Sequence, residues 1–69
     1  MSAARRFGRN LMHARAEKGL TQEQLGLRAG LDAAAVSRIE SGSREPRIAT
    51  IVRLAKALEI APGTLFEDL

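Results

Sequence analysis

Residues 21–42 read TQEQLGLRAGLDAAAVSRIESG and carry two helix starts and two helix-ending glycines within twenty-two positions. The stretch opens with Thr21-Gln22-Glu23-Gln24, a capping-box pattern in which the Thr21 hydroxyl can accept from the amide of Gln24 while the Gln24 side chain reaches back to residue 21. A helix starting there runs to about Ala29 with Leu25 and Ala29 inward. Gly30 closes it, because glycine tolerates the left-handed conformation that commonly follows a helix end. Only Leu31 separates Gly30 from Asp32, a good amino-terminal cap for a further helix that carries Val36 and Ile39 on one face and ends at Gly42. The expectation is two short helices joined by a very tight turn.

On the amino-terminal side, Phe7, Leu11 and Ala14 recur at helical spacing in a run free of proline, with Met12 and Ala16 beside them, and the helix stops at Gly19. On the carboxyl side, Ser43 to Arg47 form a polar loop containing Pro46. Ile48, Ile51, Val52, Ala55 and Leu58 then describe a fourth amphipathic helix, its apolar stripe widened by Leu54. Pro62 suits the first position of a short fifth helix presenting Leu65, Phe66 and Leu69. The pattern predicts an all-α, compact five-helix bundle.

Sixty-nine residues make a single domain, 1–69, whose small core must be aliphatic, since Phe7 and Phe66 are the sole aromatics. Without cysteine there is neither a disulfide framework nor a thiolate metal site. His13 is the lone histidine and reads as a surface residue, and Glu67-Asp68 as an acidic tail rather than an acid/base pair. No glycine-rich phosphate loop occurs. The sequence therefore calls for no cofactor, metal or small-molecule ligand and argues against an enzyme. No apolar run approaches a membrane span and no secretory pattern opens the chain, so a cytoplasmic location is expected. The formal charge is +3, with ten of the eleven Lys and Arg within residues 1–53, a distribution that permits a polyanionic partner without demanding one.

These residues resemble the Cro and phage-repressor family of helix-turn-helix regulators, of the xenobiotic-response-element type. The resemblance covers roughly residues 7–66. It is carried by Arg15, the run Gly19 to Leu25, the Gly30 turn, Val36-Ser37-Arg38-Ile39-Glu40-Ser41-Gly42, Arg44, Pro46 and Leu54-Ala55-Lys56-Ala57-Leu58. It implies a lambda-repressor-like bundle in which residues 21–42 form the DNA-binding unit and the helix at about 32–41 enters the major groove of double-stranded DNA. It also implies a homodimer acting on an inverted repeat as a transcriptional regulator.

At about 100° per residue, Val36, Ile39 and Glu40 share one face of that helix, while Ala34, Arg38 and Ser41 share the other, with Ala33 and Ser37 on its flank. Arg38 is the one long donor of the second face, able to bond N7 and O6 of a guanine. Ala33-Ala34-Ala35 departs from the polar side chains of many relatives. Either alanine methyls meet thymine methyls, or DNA shape carries more of the specificity, or alanine merely favours helix. The resemblance places Gln22, Ser41, Ser43, Arg44 and Arg47 near phosphates, with Arg28 a weaker candidate, and pairs Arg15 with Glu40 across helices. Gly26 stands where alanine is more usual, which a close approach of the third helix would explain. Arg47 and Ala61 stand where a capping serine is frequent, and Glu59 where glycine would ease a helix end. Val52, Ile60, Leu65 and Leu69 are the candidate dimer surface, with Phe66 in the core. A second class of function stays open: a protein-interaction module, such as an antitoxin or co-regulator, for which the sparse alanine face is the best support.

Overall fold

A computed structural model describes all of residues 1–69. Four α-helices follow one another, α1 (Ala3–Glu17), α2 (Gln22–Ala29), α3 (Ala33–Ser41) and α4 (Ile48–Leu58), and a 3-10 turn, Pro62–Phe66, closes the chain. No strand occurs. The expected fifth α-helix is this 3-10 turn. Ala61 offers no side-chain cap, Gly63 favours helix poorly, and Glu67 is already extended at φ −63°, ψ 137°, so only five residues are available.

Each of the first three helices is started by an oxygen-bearing side chain. Ser2 accepts from the amide of Arg5 at 3.2 Å, Thr21 from that of Gln24 at 3.0 Å, and Asp32 from that of Ala35 at 2.7 Å. The Thr21 cap is a complete capping box, because the Thr21 amide donates to Gln24 Oε1 at 2.9 Å. At their carboxyl ends, α2 and α3 turn through left-handed glycines, Gly30 at φ 74° and Gly42 at φ 80°. α4 is less well provided. Arg47 makes no side-chain cap bond, and its carboxyl end forces the non-glycine Glu59 to φ 56°.

The core is one cluster of Phe7, Leu11, Leu25, Ala29, Val36, Ile39, Leu54, Ala55, Leu58 and Leu65, with Ala14, Leu20, Leu31, Ile51, Ala57 and Ile60 packed at its margin. α3 lies between α1 and α2, α4 packs on α2, and the closing turn lies on α1 and α4. Two sequence expectations change here. Leu65 is fully buried rather than part of a surface, and Phe66 is 45% exposed rather than core. Successive side chains of a 3-10 turn diverge by a third of a revolution, so seating Leu65 inward sends Phe66 to the rim. There its ring meets Phe7 edge-on, 5.2 Å between centroids.

Two glycines set the spacing of the helices. A Cβ at Gly26 would stand 2.5 Å from the carbonyl oxygen of Leu31, so the backbone approaching α2 is the tight turn before α3 rather than the helix expected there. A Cβ at Gly8 would collide with the carbonyl oxygens of Ile39 and Glu40. α1 therefore crosses the last turn of α3 at backbone contact.

Candidate nucleic-acid interface

The exposed strip of α3 is made of Ala34, Ser37, Arg38 and Ser41, with Ala33 half-buried at its edge and Ala35, Val36 and Ile39 turned into the molecule. Since Ala34 and Ser37 are short, the Arg38 guanidinium is the one long, charged group on the strip. It makes no intramolecular hydrogen bond or ion pair, whereas its backbone carbonyl is heavily used. Ser41 Oγ donates to that carbonyl at 3.0 Å, Ser43 Oγ at 3.3 Å and the Ser43 amide at 3.0 Å. The two hydroxyls also meet each other at 3.1 Å. Ser41 and Ser43 thus close the carboxyl end of α3, and a phosphate contact by either must draw on a hydroxyl already engaged there. Arg44 and Arg47 project from the following loop, both exposed and unpaired.

Behind the strip, α3 is tied to α1 by a charged pair. Arg15 Nε donates to Glu40 Oε2 at 2.6 Å and Arg15 Nη2 to Glu40 Oε1 at 3.0 Å, a bidentate fork. Arg15 Nη1 donates to the carbonyl of Leu20 at 2.8 Å, so one side chain fastens the α1–α2 turn as well. The Glu40 side chain is 5% exposed and that of Arg15 17%. The hydrogen bond to Glu40 is the chief reason that Arg15 holds its proton even more firmly than a free guanidinium; desolvation opposes this and the charge of Glu40 adds to it.

Gln22 has a partner that its sequence reading did not include. Its Nε2 donates to Glu40 Oε1 at 3.0 Å, so its side chain joins the buried pair instead of standing free at the start of α2. Glu40 carries three donors, and Gln22 completes its shell; burial of a carboxylate with unfilled lone pairs would be costly. The signal that could have shown this is the burial of Glu40, which demands more partners than one arginine supplies. The Gln24 amide is taken by the Thr21 hydroxyl, so the backbone groups free at the start of α2 are the amides of Gln22 and Glu23, beside the second Nε2 hydrogen of Gln22.

Among the residues expected at a dimer surface, Val52 and Leu69 are 40% and 49% exposed, Ile60 is half-buried and Leu65 is buried. Ile48, at 81% exposed, and Phe66 lie outside that expectation and enlarge the apolar surface. No group of three or more His, Asp or Glu side chains converges as a metal site would require, and no helix is long and apolar enough to cross a membrane.

A family model described as helix-turn-helix matches residues 11–65. The chain is 49% identical over 55 residues to the HTH-type transcriptional repressor RghR of Bacillus subtilis (strain 168), a stretch that is 78% of this chain and 41% of that protein. The chain thus spans well under half the length of that relative. Among solved structures, the restriction-modification controller protein C.AhdI of Aeromonas hydrophila is similar at a TM-score of 0.90 and 41% identity, over 91% of this chain and 96% of that one. The P22 c2 repressor in complex with a synthetic operator is similar at a TM-score of 0.82 and 28% identity, over 88% of this chain and 92% of that one. With the capped helix pair, the tight glycine turn and the exposed Arg38 strip in place, the chain belongs to the Cro and phage-repressor family of helix-turn-helix DNA-binding transcriptional regulators.

Proposed function

We propose that this chain reads duplex DNA in a sequence-specific manner, with α3 lying in the major groove, and that it regulates transcription as a homodimer on an inverted repeat. The observation that carries the reading is Arg38: an unpartnered guanidinium alone on a short-chained helix face, backed by a buried bidentate pair that holds the helix in place. The planar fork of arginine matches N7 and O6 of guanine, and such a contact separates right from wrong bases by about 1–3 kcal/mol. Ala33, Ala34 and Ser37 let the helix sit deep, with methyl groups against thymine. Arg44 and Arg47 supply phosphate contacts that position without specifying, joined by the free amides of Gln22 and Glu23 at the start of α2. Gln22 orients Glu40 with one Nε2 hydrogen and keeps the other for a phosphate.

A second copy supplies the second recognition helix, and the exposed apolar residues Val52, Phe66 and Leu69 offer the contact. The likeness to a transcriptional repressor and to a restriction-modification controller supports the regulatory role. Selection of bound duplexes from a random pool tests the whole reading: an inverted repeat with one guanine per half-site that loses its preference in Arg38→Ala is expected. Uniform weakening on all sequences would make Arg38 a phosphate contact. Sedimentation showing a monomer on the selected duplex would overturn the dimer.

A further inference from the structure

Three arginines cluster on the first half of α1, at positions 5, 6 and 9, and the reading above uses none of them. Arg6 is exposed and turned to the chain's ends, donating from Nη1 to the carbonyl of Asp68 at 3.0 Å and from Nε to that of Met1 at 3.4 Å. Arg5 and Arg9 are exposed, and neither guanidinium has a carboxylate or any hydrogen-bond partner.

Their position relative to α3 is set by backbone packing. Gly8 seats α1 against the carbonyls of Ile39 and Glu40, and a Cβ at Gly42 would stand 2.7 Å from the Cα of Arg5. The residue that ends α3 therefore lies directly on the residue that carries one of the two free cations. Arg5, Arg9, Met1 and Met12 form one side of a 260 Å3 cleft, and Glu40 and Ser41 form the other. Ser41 belongs to the exposed strip with Ala34 and Arg38, so the cleft opens at the edge of the reading face. Glu40 does not neutralise it, because both of its oxygens are taken by Arg15 and Gln22.

From this placement we infer that Arg5 and Arg9 form a second phosphate-binding patch, gripping the DNA backbone alongside the carboxyl end of α3. The inference rests on the DNA-binding reading. With α3 in a groove about 12 Å wide, the backbone that forms the groove wall lies within reach of a long side chain on a helix in backbone contact with α3. A polyanion is the partner that two unneutralised, unpaired guanidinium groups at this edge fit, and arginine binds phosphate through its planar fork. These contacts would set affinity and register and would not discriminate bases.

The test is the salt dependence of binding to a duplex taken from the random-pool selection, followed by fluorescence anisotropy for wild type, Arg5→Gln/Arg9→Gln, Arg5→Lys/Arg9→Lys and Arg53→Gln, with circular dichroism to verify folding. Each phosphate contact adds about 0.9 to the slope of log affinity against log salt, and both protomers of the bound dimer carry the substitutions, so the glutamine pair should flatten the slope by about 3.6. Over a fourfold rise in salt, the wild-type dimer should then lose about 150-fold more affinity than that variant. The lysine pair should keep the wild-type slope and base preference, and so should Arg53→Gln, on a helix that packs against α2 and the closing turn. An equal flattening by Arg53→Gln would reduce the effect to net charge and overturn the inference, as would an unchanged slope in a folded glutamine pair. Failure of wild type to bind any duplex at low salt would instead remove the DNA-binding reading itself.

Discussion

Replacing Arg15 with methionine keeps most of the aliphatic stem and removes the charge, leaving Glu40 with a side chain 5% exposed and one donor, Gln22 Nε2 at 3.0 Å, in place of three. Breaking a buried pair in this way costs about 3–5 kcal/mol, mostly because a carboxylate is left uncompensated. At about 0.05–0.15 kcal/mol per residue, a domain of this size holds about 3–10 kcal/mol in all. Arg15→Met should therefore unfold a large share of the population at ambient temperature. Arg15→Met/Glu40→Leu removes the orphaned charge as well and should recover most of the loss, because an apolar replacement of a buried pair is often neutral. Urea denaturation of the two single variants and the double variant closes the cycle. The reasoning fails if Arg15→Met costs under about 1 kcal/mol, the value of an exposed pair, or if the two single effects simply add. The pH dependence has a definite sign too. The folded-state pKa of Arg15 is raised, so its contribution is fully present below the unfolded value and is lost as pH rises through the folded one. Both lie in the strongly alkaline range, so titration of Arg15 should leave stability level through neutral pH, a flatness that melts of wild type in neutral and mildly alkaline buffers can check.

Gly8→Ala places a Cβ against the carbonyls of Ile39 and Glu40, neither of which can move without shifting α3. A loss of about 1–3 kcal/mol is expected from overpacking, together with weaker binding of the selected duplex; a gain in stability, as alanine gives in an open helix, would deny the backbone contact. Glu59→Gly relieves a non-glycine residue at φ 56° and should stabilise by about 0.5–1 kcal/mol in urea melts, with DNA binding unchanged. A loss on that substitution would show that the Glu59 side chain makes a compensating contact.

Much of the fold was legible because its determinants are local. Capping, helix-ending glycines and apolar spacing act over a few residues, so Thr21, Gln24, Gly30, Asp32 and Gly42 announce the helix pair, and the poor ends of α4 at Arg47 and Glu59 are visible as missing cap residues. The two departures at the carboxyl end share one cause. Whether Leu65 or Phe66 points inward depends on the helical form of a five-residue turn and on the slot left between α1 and α4, and neither is written in the spacing. The Gln22 side chain turned inward for a similar reason: its partner Glu40 is eighteen positions away, and its need for a third donor arises only once α1, α2 and α3 enclose it.

An all-helical chain, a helix pair at residues 21–42 and one long donor on a face of short side chains all follow from local conformational preference and helical periodicity, and so can be read from the residues in order. The cations of α1 are sorted only by packing: Arg6 reaches the carbonyls of Met1 and Asp68, while Arg5 and Arg9 have no partner and lie with Arg38 along one edge. The seating of Arg5 and Arg9 beside α3 depends on close approach at two glycines, Gly8 and Gly42, where the missing Cβ lets backbones meet.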